Sequence, residues 1–132
     1  MAPSKFQLLY ASQLAAGCDF GVVRSIVNVS RQRNRERNIT GTLLFDGERF
    51  GQLIEGAESD VLELMVRIER HSRHTNIQLL HAGRCAASQS MQRWASGYCD
   101  AHELDAFGAE SGLRDAAMVD AFRVVLKRAD LA

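Results

Sequence analysis

The pair Asp46-Gly47, set between two short apolar runs, constrains this chain more than any other feature. The runs are Thr42-Leu43-Leu44-Phe45 and Phe50-Gly51-Gln52-Leu53-Ile54. Glycine takes the positive φ that a tight turn demands, so an Asp-Gly pair here predicts a β-hairpin. On both sides the apolar spacing changes from period 2 to the 3.6 of a helix. Before the hairpin, from about Phe20 to Arg35, the stripe is Val22, Val23, Ile26, Val27 and Val29, with Asp19 as N-cap. After it, Ser59 and Asp60 open a helix whose stripe is Val61, Leu64, Met65 and Ile68. One short strand lies outside each helix, Phe6 to Tyr10 in front and Ile77 to Cys85 behind.

The order β-α-β-β-α-β is the ferredoxin-like split pattern. The predicted class is α+β, a sheet with two helices on one face. An additional fifth strand is expected from Trp94 to Asp100. A C-terminal helix of about four turns follows from the spacing of Met118, Val119, Phe122, Val125 and Leu126. Residues 1–102 are expected to form one domain. Residues 103–132 are expected to form a helical extension that packs on the open sheet face or at a dimer interface. An incompletely covered face favours a homo-oligomer, dimer or higher.

At 132 residues the chain has the size of one domain. Sixteen Lys and Arg balance sixteen Asp and Glu. A nucleic-acid binder normally carries a basic excess, so this balance argues against that partner class. No apolar run approaches the ~18 residues of a membrane span, and the start shows no leader pattern. Cys18, Cys85 and Cys99 lack CxxC spacing, which argues against a disulfide framework and for a reducing cytoplasm. His71 and His74 sit at helical i, i+3 spacing with no third ligand nearby, so no metal site is expected.

Three polar side chains fall where apolar ones are expected. Tyr10 ends the first strand, Asn34 lies late in the first helix, and Gln52 sits between Phe50 and Ile54 on one strand face. Ser30 and Asn34 extend the stripe of Ile26 and Val27 at steps of four. Strands one and three are neighbours in this topology, so the three groups converge between the helices. Ile26 and Ile68 then supply flat aliphatic walls. Such a slot suits a planar heteroaromatic ring with both donors and acceptors. Taken singly, each residue has a plainer reading. Tyr10 alone is a core phenol, Gln52 alone an edge-strand amide, Trp94 alone a packing residue, and Arg31 to Arg37 a solvated helix end.

These residues belong to a longer ordered set. Leu9-Tyr10-Ala11-Ser12, Ser30-x-x-Arg33-Asn34, Asn38-Ile39-Thr40-Gly41-Thr42-Leu43-Leu44, Asp46-Gly47-x-x-Phe50-x-Gln52-x-Ile54-Glu55-Gly56, Arg67-Ile68, Arg73-His74 and Trp94-x-x-Gly97-Tyr98 follow in order from about Phe6 to Tyr98. The set resembles the BLUF family, blue-light sensors that bind a flavin, usually FAD. The resemblance implies that Gln52 lies beside flavin N5 and the C4 carbonyl and bridges to Tyr10. It implies that Asn34 holds the C4 carbonyl and N3 edge, while Arg33 approaches the C2 carbonyl. Ser30, Ile26 and Ile68 would pack near the ring, with His71, Arg73 and His74 towards the ribityl chain and phosphates. Trp94 matches the family's tryptophan, and the resemblance counts it with Tyr10 and Gln52 as photoactive. FMN or riboflavin would fit the same ring site.

The resemblance also implies a mechanism. Light-driven electron and proton transfer from Tyr10, relayed by Gln52 and then reversed, would leave Gln52 in a rearranged hydrogen-bond pattern. Glutamine suits this because its amide presents a donor or an acceptor. The rearrangement would bias the strand and signal to a separate protein partner. No substrate is turned over, so the chain is not expected to be an enzyme. Three positions depart from the family pattern. Ser96 stands where a methionine is common, His71 where an aspartate is common, and Gly51 where a larger residue is usual. They motivate a second reading, a light-insensitive interaction module of the same fold.

Overall fold

The computed structural model describes residues 5–18, 20–70, 74–85, 94–99, 115–128 and 130–131, with backbone only at 20, 22–24, 74, 94, 115, 116, 127, 128, 130 and 131. Its elements are β1 (Lys5–Leu14), α1 (Phe20–Glu36), β2 (Thr40–Phe45), β3 (Arg49–Gly56), α2 (Glu58–Arg70), β4 (His74–Cys85), β5 (Trp94–Tyr98), α3 (Asp115–Arg128) and β6 (Asp130–Leu131). The strands form one sheet in the order β4-β1-β3-β2-β5-β6. The β2–β5 pair is parallel and the others are antiparallel. This is the expected α+β ferredoxin-like arrangement, with β5 added outside β2.

The hairpin forms where Asp46-Gly47 predicts it. Asp46 Oδ1 accepts from the backbone N–H of Glu48 and of Arg49, at 2.9 and 2.7 Å. Gly47 takes a φ of 104°, a conformation that a side chain would strain. Gly41 is required for a different reason. A Cβ there would sit 2.0 Å from the Leu53 carbonyl oxygen of β3.

Several boundaries differ from the expected ones. β1 continues to Leu14 because β3 and β4 pair with it on both sides. β4 starts at His74 rather than Ile77, since Leu14 and Gln13 extend the ladder to His74 and Thr75. The polar start hid it, because an edge strand needs no strict alternation. β5 stops at Tyr98, where the Cys99 N–H turns back to the Phe45 carbonyl at 3.1 Å. β6 was not expected. It is two residues long, too short to carry a periodicity. The N-cap reading of Asp19 falls outside the described residues.

The sheet divides the core into two layers. On one face α1 and α2 lie side by side. α2 covers Leu8, Tyr10 and Ile54 through Val61 and Met65. α1 brings Ile26 onto Leu43, Phe45 and Phe50. On the other face α3 sets Met118, Val119, Phe122 and Val125 over Leu9, Leu44 and Leu53. The alternation of β3 therefore sends Gln52 to the two-helix face and Leu53 to the α3 face.

Candidate functional site

Tyr10 and Gln52 are direct partners in the β1–β3 ladder. Paired residues of a ladder share a face, so their side chains meet without any special turn. The Tyr10 hydroxyl donates to Gln52 Oε1 at 2.6 Å. Both side chains are buried. Burial pushes the Tyr10 phenol well above its ordinary pKa, so it keeps its proton throughout the physiological range. The amide oxygen of Gln52 is thus committed to Tyr10, and its NH2 group is turned elsewhere.

Asn34 reaches the same face from the last turns of α1. The end of that helix fixes it. The Ile39 N–H returns to the Asn34 carbonyl at 2.8 Å, and the Asn38 N–H to the Arg35 carbonyl at 3.3 Å. Asn38 sits at φ 57°, so the pattern is a Schellman cap with asparagine in the left-handed position. This locks the backbone that carries Asn34. Its side chain is 1% exposed, yet neither Nδ2 nor Oδ1 has a hydrogen-bond partner. A buried amide with a donor and an acceptor both unmet costs about 1–3 kcal/mol per group unless a ligand meets them. The flavin pyrimidine edge offers a carbonyl beside an N–H, the complementary pair, so the residues present fit that ring.

The remaining expected residues divide clearly. Ile26 is buried, Ser30 is half-buried, and Ile68 packs partly buried against the cluster of Tyr10. Arg33 is exposed, one helical turn before Arg37. Arg37 Nη1 lies 3.2 Å from Glu63 Oε1 of α2, and Arg67 Nη2 lies 2.8 Å from the same oxygen. The first pair ties the residue just after α1 to α2, and the second lies within α2. His74 opens β4 opposite Leu14, and Trp94 opens β5 opposite Gly41. His71 and Arg73 lie outside the described residues. An open groove on the β4 side of α2 is lined by Met65, Glu69, Ile77 and Leu79 and includes none of the polar trio.

One contact was missed in the sequence. Leu43 pairs with Gln52 on one side and Ser96 on the other, so Tyr10, Gln52, Leu43 and Ser96 form a row across four strands. Ser96 is buried, and its hydroxyl accepts from Arg31 Nη2 of α1 at 3.5 Å. Arg31 lies in a run that reads as solvated, and only the approach of β5 to α1 reveals its partner.

The comparisons bear on the family and the fold. The family described as "BLUF: Sensors of blue-light using FAD" matches residues 6–97. The chain is similar to the blue light- and temperature-regulated antirepressor BluF of Escherichia coli (strain K12). It is 34% identical over 70 residues, 53% of this chain and 17% of that protein. It is equally similar to the photoactivated adenylate cyclase subunit beta of Euglena gracilis, 34% over 74 residues, 56% of this chain and 9% of that protein. The match thus spans only a small part of either relative. Among solved structures, the BlsA photo-activated state aligns with a TM-score of 0.75 at 25% identity, over 92% of this chain and 94% of that one. The dark-state structure of BlrB, a BLUF protein, shares the fold with a TM-score of 0.72 at 24% identity, over 97% and 98% of the two chains.

Proposed function

The chain belongs to the BLUF family, the sensors of blue light using FAD, and on that basis we propose that it is a blue-light photoreceptor acting through Tyr10 and Gln52. The observation that carries the reading is the buried Tyr10–Gln52 hydrogen bond, supported by the buried, unmet Asn34 amide as the ring's anchor. Asn34 and Gln52 hold the flavin edge, Ile26 and Ile68 wall the ring, and Arg33 lies at the open side. Residues 1–102 form the flavin-binding unit. Residues 103–132 carry the helix through which it is coupled to other surfaces.

Bound flavin, once excited, supplies a strong oxidant next to an oxidisable phenol. Tyr10 contributes an electron and its hydroxyl proton and recovers both, so no net oxidation of the chain results. Gln52 holds the Tyr10 hydroxyl at Oε1 in the resting arrangement. An amide turned end for end would face Tyr10 with NH2, and the hydroxyl would then accept instead of donate. The two arrangements differ only in hydrogen bonding. That is the character of a switch and not of an enzyme. The signal passes to a separate protein partner, with the chain acting as a cytoplasmic homo-oligomer. Among the described residues no helix is long and apolar enough to cross a membrane.

The test is an absorption spectrum of the purified, flavin-loaded protein in darkness and after blue light. A small red shift that reverses in darkness is expected. Protein that takes up no flavin overturns the reading. A second reading, the light-insensitive module, is favoured by one observation: the Ser96 hydroxyl accepts from Arg31 Nη2 where the family commonly has methionine. Bound flavin with no light-induced shift would establish it.

A further inference from the structure

One buried charge has no part in the Tyr10–Gln52 site. Glu55 lies three residues beyond Gln52 in β3, on the opposite face of the sheet, and is fully buried. Its ladder partners on that face are Gln7 and Thr40. The Cys85 thiol of β4 donates to Glu55 Oε2 at 3.6 Å. Burial and the neighbouring Glu55 charge push that thiol up to about 11, so it stays protonated and able to donate. Oε1 has no hydrogen-bond partner. Facing it is Arg123 of α3, with Nη2 at 3.9 Å. A charge-assisted N–H···O bond closes at about 2.7–2.9 Å, so this pair stands about 1 Å open.

We propose that the Glu55–Arg123 pair is the contact by which β3 reports the state of Gln52 to α3. The proposal rests on the photoreceptor reading, which supplies the event that disturbs β3. Among the described residues, α3 also lays an apolar cluster on the sheet: Met118, Val119, Phe122 and Val125 over Leu9, Leu44 and Leu53. Apolar contacts are non-directional and tolerate a small slide. The ion pair does not. Charge attraction strengthens as the local dielectric falls, and here Glu55 is fully buried while the Arg123 side chain is 32% exposed, so this half-buried pair is screened less than a surface pair and responds more to a displacement. Cys85 holds the second carboxylate oxygen from β4, which leaves Oε1 as the oxygen that opens or closes on Arg123. A shift of β3 by about the missing ångström either completes the bond or breaks the pair, and α3 settles differently in each case.

The experiment is hydrogen exchange, read by mass spectrometry, on flavin-loaded protein in darkness and under blue light. The unaltered protein, Glu55→Gln, Arg123→Met and the double variant are compared, each also read by absorption. The expected result is a severalfold light–dark difference in exchange across α3 in the unaltered protein. Both single variants should lose it while keeping the absorption shift. The double variant removes both charges together and guards against misfolding caused by one unpaired charge. An α3 difference that survives in every variant overturns the proposal, as does an unaltered protein that shifts in absorption with α3 unchanged. Absence of the shift overturns the photoreceptor reading instead. A dark double-mutant cycle in denaturant then decides on the pair. Coupling of fivefold or more in the unfolding constant upholds the contact, and additivity overturns it.

Discussion

Tyr10 and Gln52, 42 residues apart in the chain, occupy one rung of the β1–β3 ladder and share a buried 2.6 Å hydrogen bond with the phenol as donor. The rung determines the geometry and the burial determines the chemistry. Strand pairing holds the two side chains together, so neither depends on a mobile loop for its position.

Tyr10→Phe tests that bond. The substitution leaves Gln52 Oε1 buried with no donor, at a cost of about 1–3 kcal/mol. Equilibrium denaturation should show that loss. Absorption should show flavin still bound and the light-induced shift gone. A variant that keeps the shift would remove Tyr10 from the mechanism.

Asn34→Leu separates ligand binding from folding. The native amide has neither group paired within the protein, so replacing it with an apolar side chain of similar size should leave apoprotein stability unchanged or raised. Flavin affinity should fall by roughly 5- to 150-fold, the equivalent of two lost hydrogen bonds at about 0.5–1.5 kcal/mol each. A flavin titration by fluorescence measures this. An unchanged dissociation constant would place the ring elsewhere.

Alkaline pH should weaken the fold. Tyr10 and Cys85 both have pKa values raised by burial, Cys85 from 9.0 to about 11. The folded state therefore keeps protons that the unfolded chain releases. Their contribution is fully present below the unfolded values and is lost as pH rises through and beyond them. Urea midpoints should be insensitive to these two groups up to about pH 9 and should fall above it. Cys85→Ala should make the first part of the fall shallower, and Tyr10→Phe the later part.

Gly41→Ala should be among the most damaging small substitutions. The added methyl would lie 2.0 Å from the Leu53 carbonyl oxygen, so β2 and β3 would have to separate beside Gln52. The expected loss is about 3 kcal/mol, the upper end for overpacking a close contact. A denaturant midpoint measures it, and a near-native midpoint would show that the strands yield easily.

Much of the fold was legible because its signals are local. Asp46-Gly47 marks the hairpin, and alternation through Phe50, Gln52 and Ile54 places Gln52 on the two-helix face. The stripes of α1 and α2 place Ile26 and Ile68. The start of β4 was not legible, because a polar edge strand lacks alternation until its neighbour is known. β6 was too short to carry a pattern. The bond of Arg31 to Ser96 joins residues 65 apart, and nothing near either one signals the other. Glu55 reads as an ordinary charge in a strand until α3 covers it.

Signals local to the chain set the elements other than β6, their order and the identity of the polar trio. Backbone periodicity and turn chemistry act over a few residues, and a strand's alternation assigns its faces. The contacts between these groups were settled by long-range packing. Strand pairing set Tyr10 against Gln52, the Schellman cap of α1 left the Asn34 amide buried and unmet, and α3 brought Arg123 over Glu55. Those relations depend on register and on desolvation, which exist only when distant segments have closed over one another.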